Sequence, residues 1–222
     1  MMLARCGEPL GDHLLNVASL ARLLSERLKL NLEREAYLAG LLHDVGKADA
    51  GAQRRIAEGC GTGRELGSPG HEVVSAVVAF DALRGCGLQL EAAFEVVGAI
   101  LRHHQAMRTA DEALSDLRRW FRGRVSEPAE LEAALSRGLG NLGLSFAAPA
   151  WPASVEDLEE RLVSMQRVFE KLYGQPARTL RARLLSGLVM VADTYVAGAA
   201  AEGERESLYK REVKRFVELL RR

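Results

Sequence analysis

The stretch AGLLHDVGKA, residues 39–48, sets a histidine and an aspartate side by side at the end of an apolar run that Gly46 then interrupts. Consecutive helix positions point about 100° apart, so His43 and Asp44 cannot both hide on one apolar face. A second doublet, His103 and His104 in AILRHHQAM (99–107), repeats the arrangement. Such pairs are poor core material. They suit a site where neighbouring donors approach one centre, or two adjacent centres, from different directions. The chain holds only 5 histidines, the remaining two being His13 and His71. Neutral imidazole with carboxylate is the ligand mixture of Mn, Fe, Ni or Co rather than calcium. Asp193 lies inside LSGLVMVADTYVAG (185–198), where a helix that is apolar nearly all round would bury it. A buried carboxylate needs a partner, and either an arginine or a metal supplies one.

Outward from these motifs, apolar residues recur at helical spacing almost everywhere, and no alternating β-branched run is long enough for a sheet. The expected fold is all-α, a helical bundle of about eight or nine helices. The first helix runs from near Asp12 with Leu14, Val17, Ala21, Leu24 and Leu28 on one stripe, and the second from about Leu32 until Gly46. Further helical patterns cover about 71–83, 88–103, 110–122, 128–138, 154–173, 177–198 and 203–221. Between the second and third, residues 48–70 hold six glycines and Pro69, which reads as a glycine-rich loop, a mobile lid beside the candidate site. No internal repeat and no composition break divides the chain. The expectation is one domain over 1–222, with a motif-bearing core at 9–198 and a basic terminal helix at 203–221 whose apolar stripe is Val213, Phe216 and Leu220.

With 222 residues, 48% of them hydrophobic and 27% charged, the chain can bury a continuous core. Its apolar runs fall short of the roughly 18–20 residues a membrane span needs, and the amino terminus lacks a secretory pattern, so a cytoplasmic protein without a membrane partner is expected. Thirty basic and 30 acidic side chains cancel, leaving no global field to draw it onto nucleic acid. No GxxxxGK[ST] motor motif occurs. Cys6, Cys60 and Cys86 are far apart and form no CxxC pair, so they read as free thiols.

The ordered pattern of His13, then His43 with Asp44, then Asp193 resembles the HD superfamily of metal-dependent phosphohydrolases. Within it, His71 and the doublet His103 and His104 imply a second metal. The phrases PLGDH, LLHDVGKA, HEVVSA, ILRHHQAM and VADTYVAG are most similar to the CRISPR-associated HD nuclease of type I interference, there either fused to a helicase or encoded alone. The resemblance covers roughly residues 9–198. It implies a first metal held by His13, His43, Asp44 and Asp193, and a second held by Asp44, His71, His103 and His104, with Asp44 bridging. Two divalent cations (Mn, Ni, Co or Mg) would then activate a water and clamp the attacked phosphoryl oxygen, with no protein nucleophile.

The same resemblance implies a hydrolase that cuts single-stranded DNA as an endonuclease or exonuclease, working with a CRISPR helicase and a guide-RNA surveillance complex in antiviral defence. Sequence choice then rests with the guide. Lys47, one turn beyond His43, reads as a catalytic cation for a phosphate oxygen or leaving group, or else as a surface lysine. Ser75, four residues after His71, reads as a phosphate donor, or else as a small residue at a helix contact. Arg108, with Arg118, Arg119, Arg122 and Arg124, follows the histidine doublet as a candidate substrate contact, with Trp120 and Phe121 as stacking surfaces, or else a solvated face over core aromatics. The alternative activity is hydrolysis of small nucleotides such as diadenosine polyphosphates or cyclic dinucleotides. The residues after the doublet lack the GYP motif of one cyclic-dinucleotide subgroup, and His104 favours the nuclease. A third reading is a noncatalytic scaffold that binds through the basic terminal helix.

Overall fold

The computed structural model describes residues 1–64, 66–104, 109–200 and 207–221. Within them the chain is all-α, apart from a short amino-terminal hairpin of β1 (Leu3–Arg5) and β2 (Glu8–Pro9). Ten α-helices follow: α1 (Leu10–Arg27), α2 (Glu33–Leu42), α3 (Ala50–Thr62), α4 (His71–Gly85), α5 (Leu90–Ile100), α6 (Ala110–Trp120), α7 (Pro128–Gly140), α8 (Val155–Tyr173), α9 (Pro176–Ala200) and α10 (Leu208–Arg221). A 3₁₀ turn, Val45–Ala48, joins α2 to α3. No helix among these residues is long and apolar enough to cross a membrane.

Helices α1, α2, α5 and α9 pack on one another at the centre, with α4 and α8 on one flank, α7 against α1 and α10 against α9. The apolar stripe of α1, Leu10, Leu14, Val17, Ala18, Ala21 and Leu24, is buried throughout. The α1–α2 crossing depends on Gly40, where a Cβ would sit 2.7 Å from the Ala18 Cα and 2.9 Å from its nitrogen. Only a glycine lets the two backbones approach this closely. Buried Glu95 on α5 accepts from Arg178 and Arg181 of α9, each at 2.8 Å, and Ser186 Oγ donates to Arg102 O at 2.8 Å. These bonds clamp the helix that ends at the histidine doublet to the helix that carries Asp193.

Several expectations change. The stretch 48–70 is not an open lid: most of it is α3, capped by Asp49, whose Oδ1 accepts from Gly51 N at 2.8 Å. Ala52 and Ile56 are buried, and α3 packs on β1, the 3₁₀ turn and α6. Tertiary burial overrides the glycine penalty there, and this helix is the tenth. Cys6 and Cys60 are joined in a disulfide, their Cα atoms 5.4 Å apart, which ties the hairpin to the end of α3. Closing a loop of 54 residues removes about 4 kcal/mol of unfolded-chain entropy. Cys86 keeps its thiol and donates to Ser145 O. On α10 the buried residues are Val213 and Val217, while Phe216 is 40% exposed, so the stripe is rotated from the expected one.

Candidate metal centre

Six of the seven expected metal ligands lie at or near helix ends. His13 sits in the first turn of α1, and His71 is the first residue of α4, after Gly70 in a left-handed conformation. His43 closes α2, Asp44 follows in a non-helical conformation, and His103 with His104 lies in the turn after α5. Both doublets therefore sit where a helix stops, and the break lets adjacent side chains diverge. Gly46 lets the 3₁₀ turn after the first break lie against α4: its Cβ would collide with the start of that helix, and its N–H donates to Ser75 Oγ at 2.9 Å. Asp193 alone comes from mid-helix, and its side chain is 25% exposed rather than buried.

The seven side chains come together as two overlapping groups, His13, His43, Asp44 and Asp193 on one side and Asp44, His71, His103 and His104 on the other. In each group the donor atoms all lie within 4.8 Å of one another. Asp44 turns one oxygen to each group. Its Oδ2 is 3.4 Å from Nε2 of both His13 and His43, and its Oδ1 is 2.8 Å from His71 Nε2 and 3.6 Å from His103 Nε2. Asp193 Oδ1 lies 3.4 Å from His13 Nε2, and His104 Nε2 lies 3.2 Å from His71 Nε2. Ligands cis to one another on a metal with bonds near 2.1 Å are separated by about 3.0–3.4 Å, which most of these distances approach.

A second set of bonds aims the rings. Nδ1 of His43, His71 and His103 each pairs with the carbonyl three residues earlier, Gly40, Ser68 and Ile100, at 2.6–2.8 Å. His13 Nδ1 pairs with Glu8 Oε1 at 3.0 Å. Those oxygens can only accept, so each Nδ1 carries the proton and each Nε2 presents a lone pair to the centre. Asp44 Oδ1 and His103 Nε2 are buried without a hydrogen bond among the described residues, a cost that a cation would remove, while Asp44 Oδ2 faces the Lys47 ammonium. Imidazole-rich donors with a shared carboxylate fit a divalent transition metal.

The electrostatics agree for Asp44, Lys47 and His104, whereas His13 is held toward its charged form and must give up a proton before its Nε2 can ligate. Burial works against the Asp44 carboxylate, but electrostatic interaction with His43, Lys47 and His71 outweighs it and holds its pKa well below the usual range. For Lys47 burial likewise opposes charge, and Asp44 and Asp193 push its pKa up. Its Nζ stands 2.6 Å from Asp44 Oδ2. Burial together with His103 and His71 drives His104 down to about 2, leaving it a neutral donor. Burial disfavours charge on His13 too, but Asp44 and Glu8 raise it to about 9.

Other expected residues fall elsewhere. Ser75 is wholly buried and its hydroxyl braces the 3₁₀ turn against α4, so it is not offered to substrate. Trp120 and Phe121 are core residues rather than stacking surfaces; Trp120 Nε1 donates to Pro69 O and steadies the loop before His71. Arg108 lies outside the described residues. Arg118 and Arg119 pair with Glu159 and Asp116. Glu8 was missed by sequence reasoning, its one cue being an acidic residue shortly before His13. Glu95 and its two arginines gave no local signal.

A helical bundle whose histidines and aspartates converge in this way defines the metal-dependent HD hydrolase class. Residues 10–197 match the HD domain family, and the chain belongs to it. Among solved structures it is similar to the CRISPR-associated Cas3 HD domain protein MJ0384 from Methanocaldococcus jannaschii, at 18% identity and a TM-score of 0.52, over 86% of this chain and 98% of that one. No curated protein matches it.

Proposed function

We propose that the chain is a metal-dependent nuclease that hydrolyses phosphodiester bonds of single-stranded DNA in CRISPR type I interference. The observation that carries the proposal is Asp44, buried between two donor groups with one oxygen toward each. That arrangement suits two divalent cations rather than one, of Mn, Ni, Co or Mg. When bound, they supply Lewis acidity toward the phosphoryl oxygens and activate water for attack on phosphorus.

The chain's own residues do the rest. Hydrogen bonds at Nδ1 hold the rings of His13, His43, His71 and His103 so that their Nε2 atoms need no reorganisation before binding. Lys47, kept protonated by Asp44 and Asp193, offsets charge that develops on a nonbridging phosphate oxygen or leaving group. No side chain serves as nucleophile. The choice of single-stranded DNA draws on the fold shared with the Cas3 HD domain protein and on the second histidine of the doublet. Such a nuclease works in the cytoplasm, where a separate helicase and a guide-RNA complex deliver the strand, which is compatible with a neutral net charge.

The test is cleavage of labelled single-stranded DNA, duplex DNA, RNA and diadenosine tetraphosphate with Mn²⁺, Ni²⁺ and Mg²⁺, using Asp44→Ala as control. Cutting of single-stranded DNA that the variant lacks supports the proposal. Turnover of the small nucleotide alone overturns it in favour of a nucleotide phosphohydrolase.

A further inference from the structure

The bridge between Cys6 and Cys60 lies at the surface, yet one end of it is two residues from a group that aims a metal ligand. Both cysteines are exposed, so an external thiol can attack either sulfur. Exposed bridges are the labile, exchangeable ones. Cys6 sits in the turn between β1 and β2, next to Gly7 at φ +76°. Glu8 follows directly. Its Oε1 accepts from His13 Nδ1 at 3.0 Å, and its Oε2 accepts from Arg5 Nε at 2.6 Å. The chain from bridge to turn to Glu8 to His13 therefore ends on the first of the two donor groups.

Other bonds hold the two ends of the hairpin. Gln53 of α3 donates to Leu3 O and Lys47 O and accepts from Leu3 N, Met2 N donates to Glu130, and Leu10 N donates to Met2 O. These grip residues 2, 3 and 10, and the turn between them is tied to α3 by the bridge. Opening the bridge leaves β1 and α1 in place and frees the turn, so Glu8 keeps its bond to His13 only part of the time. We infer that the Cys6–Cys60 pair is a thiol-sensitive switch on the metal affinity of the His13 group, acting through Glu8. The co-reactant is a small thiol or a protein dithiol. Its thiolate attacks one bridge sulfur, forming a mixed disulfide and expelling the other sulfur as a thiolate that takes up a proton. A second thiol resolves the mixed disulfide. The bridge thus gains two electrons and two protons and ends as two thiols, while the reductant leaves as its own disulfide. The effect is bounded by complete loss of the histidine's partner, about 10–100-fold in metal affinity. The inference concerns the binding of metal and requires no particular substrate.

The test compares the full chain oxidised in air with the chain reduced by a phosphine that is then removed under nitrogen. Thiols counted in denaturant should number one in the oxidised protein, Cys86, and all 3 cysteines in the reduced one. Mn²⁺ binding to each form is titrated by calorimetry, manganese being an ion that prefers oxygen and imidazole to thiol. Reduction should weaken one Mn²⁺ site by about three- to tenfold, a part of what losing the partner outright would cost, and leave the other nearly unchanged. The double variant Cys6→Ser with Cys60→Ser should bind as the reduced chain does, with or without reductant. In Glu8→Gln the site is already weak, and reduction should change it no further, because the residue that carries the effect is gone. Equal affinities in the two redox states overturn the inference, as does a full effect that persists in a folded Glu8→Gln protein. Three thiols after air oxidation overturn it as well, and so does a reduced chain whose circular dichroism is that of an unfolded one, which would make the bridge purely structural. Absence of DNA cleavage while Mn²⁺ affinity still follows the redox state overturns the nuclease proposal and leaves the switch standing.

Discussion

Replacing Gly40 with alanine tests how the centre is assembled, because two simple expectations have opposite signs. Helix propensity alone says the change stabilises α2 by about 1 kcal/mol. The crossing says otherwise. The new Cβ would lie 2.7 Å from the Ala18 Cα and 2.9 Å from its nitrogen, where carbon contacts normally need about 3.5–4.0 Å. The atoms met belong to backbone, so no rotamer change relieves the overlap, and α2 must retreat from α1 by about 1 Å. Overpacking of this kind costs about 1–3 kcal/mol. With the upper end appropriate to backbone, and propensity returning about 1, the net loss is about 2 kcal/mol. For a chain of this size that lowers Tm by about 4–8 °C. The same retreat draws His43 from His13, whose Nε2 atoms are 3.4 Å apart, and should weaken metal binding at that group first. Calorimetric melting and metal content by mass spectrometry read both effects. Ala18→Gly should not rescue the variant, since it removes neither atom that is struck. A Gly40→Ala protein that melts at or above the wild-type temperature with full metal content would refute the reasoning.

Asp44→Ala should abolish hydrolysis and lower metal content at both groups, since it removes the one carboxylate they share; retained activity would defeat the dinuclear reading. Lys47→Ala should slow cleavage while leaving metal content intact. Loss of bound metal in that variant would make Lys47 a structural residue. Glu8→Gln should weaken metal affinity at the His13 group by about 10–100-fold, as removing the partner of a ligating histidine typically does. Unchanged affinity in a titration with Mn²⁺ would show that Glu8 does not orient the ring.

The sequence by itself determined the helical class and singled out the candidate donors. Periodicity near 3.6 is a local property, legible wherever an apolar stripe such as Leu14, Val17, Ala21 and Leu24 repeats. The doublets were legible for the same reason: adjacent polar residues at the end of an apolar run conflict with burial, and that conflict needs no knowledge of the fold. Tertiary structure alone decided how the donors are held. Glu8 reaches His13 only because the hairpin folds over the start of α1, and Glu95 meets Arg178 and Arg181 across more than 80 residues of chain. Cys6 and Cys60 pair because α3 returns to β1. The stretch read as a lid became α3 because packing outweighs glycine propensity, and Trp120 turned inward because α6 spends its apolar face on the core. Partners of this kind are set by helix crossings, and a crossing is fixed by backbone approach at sites such as Gly40, where the residue that permits it carries no side chain to announce its neighbour.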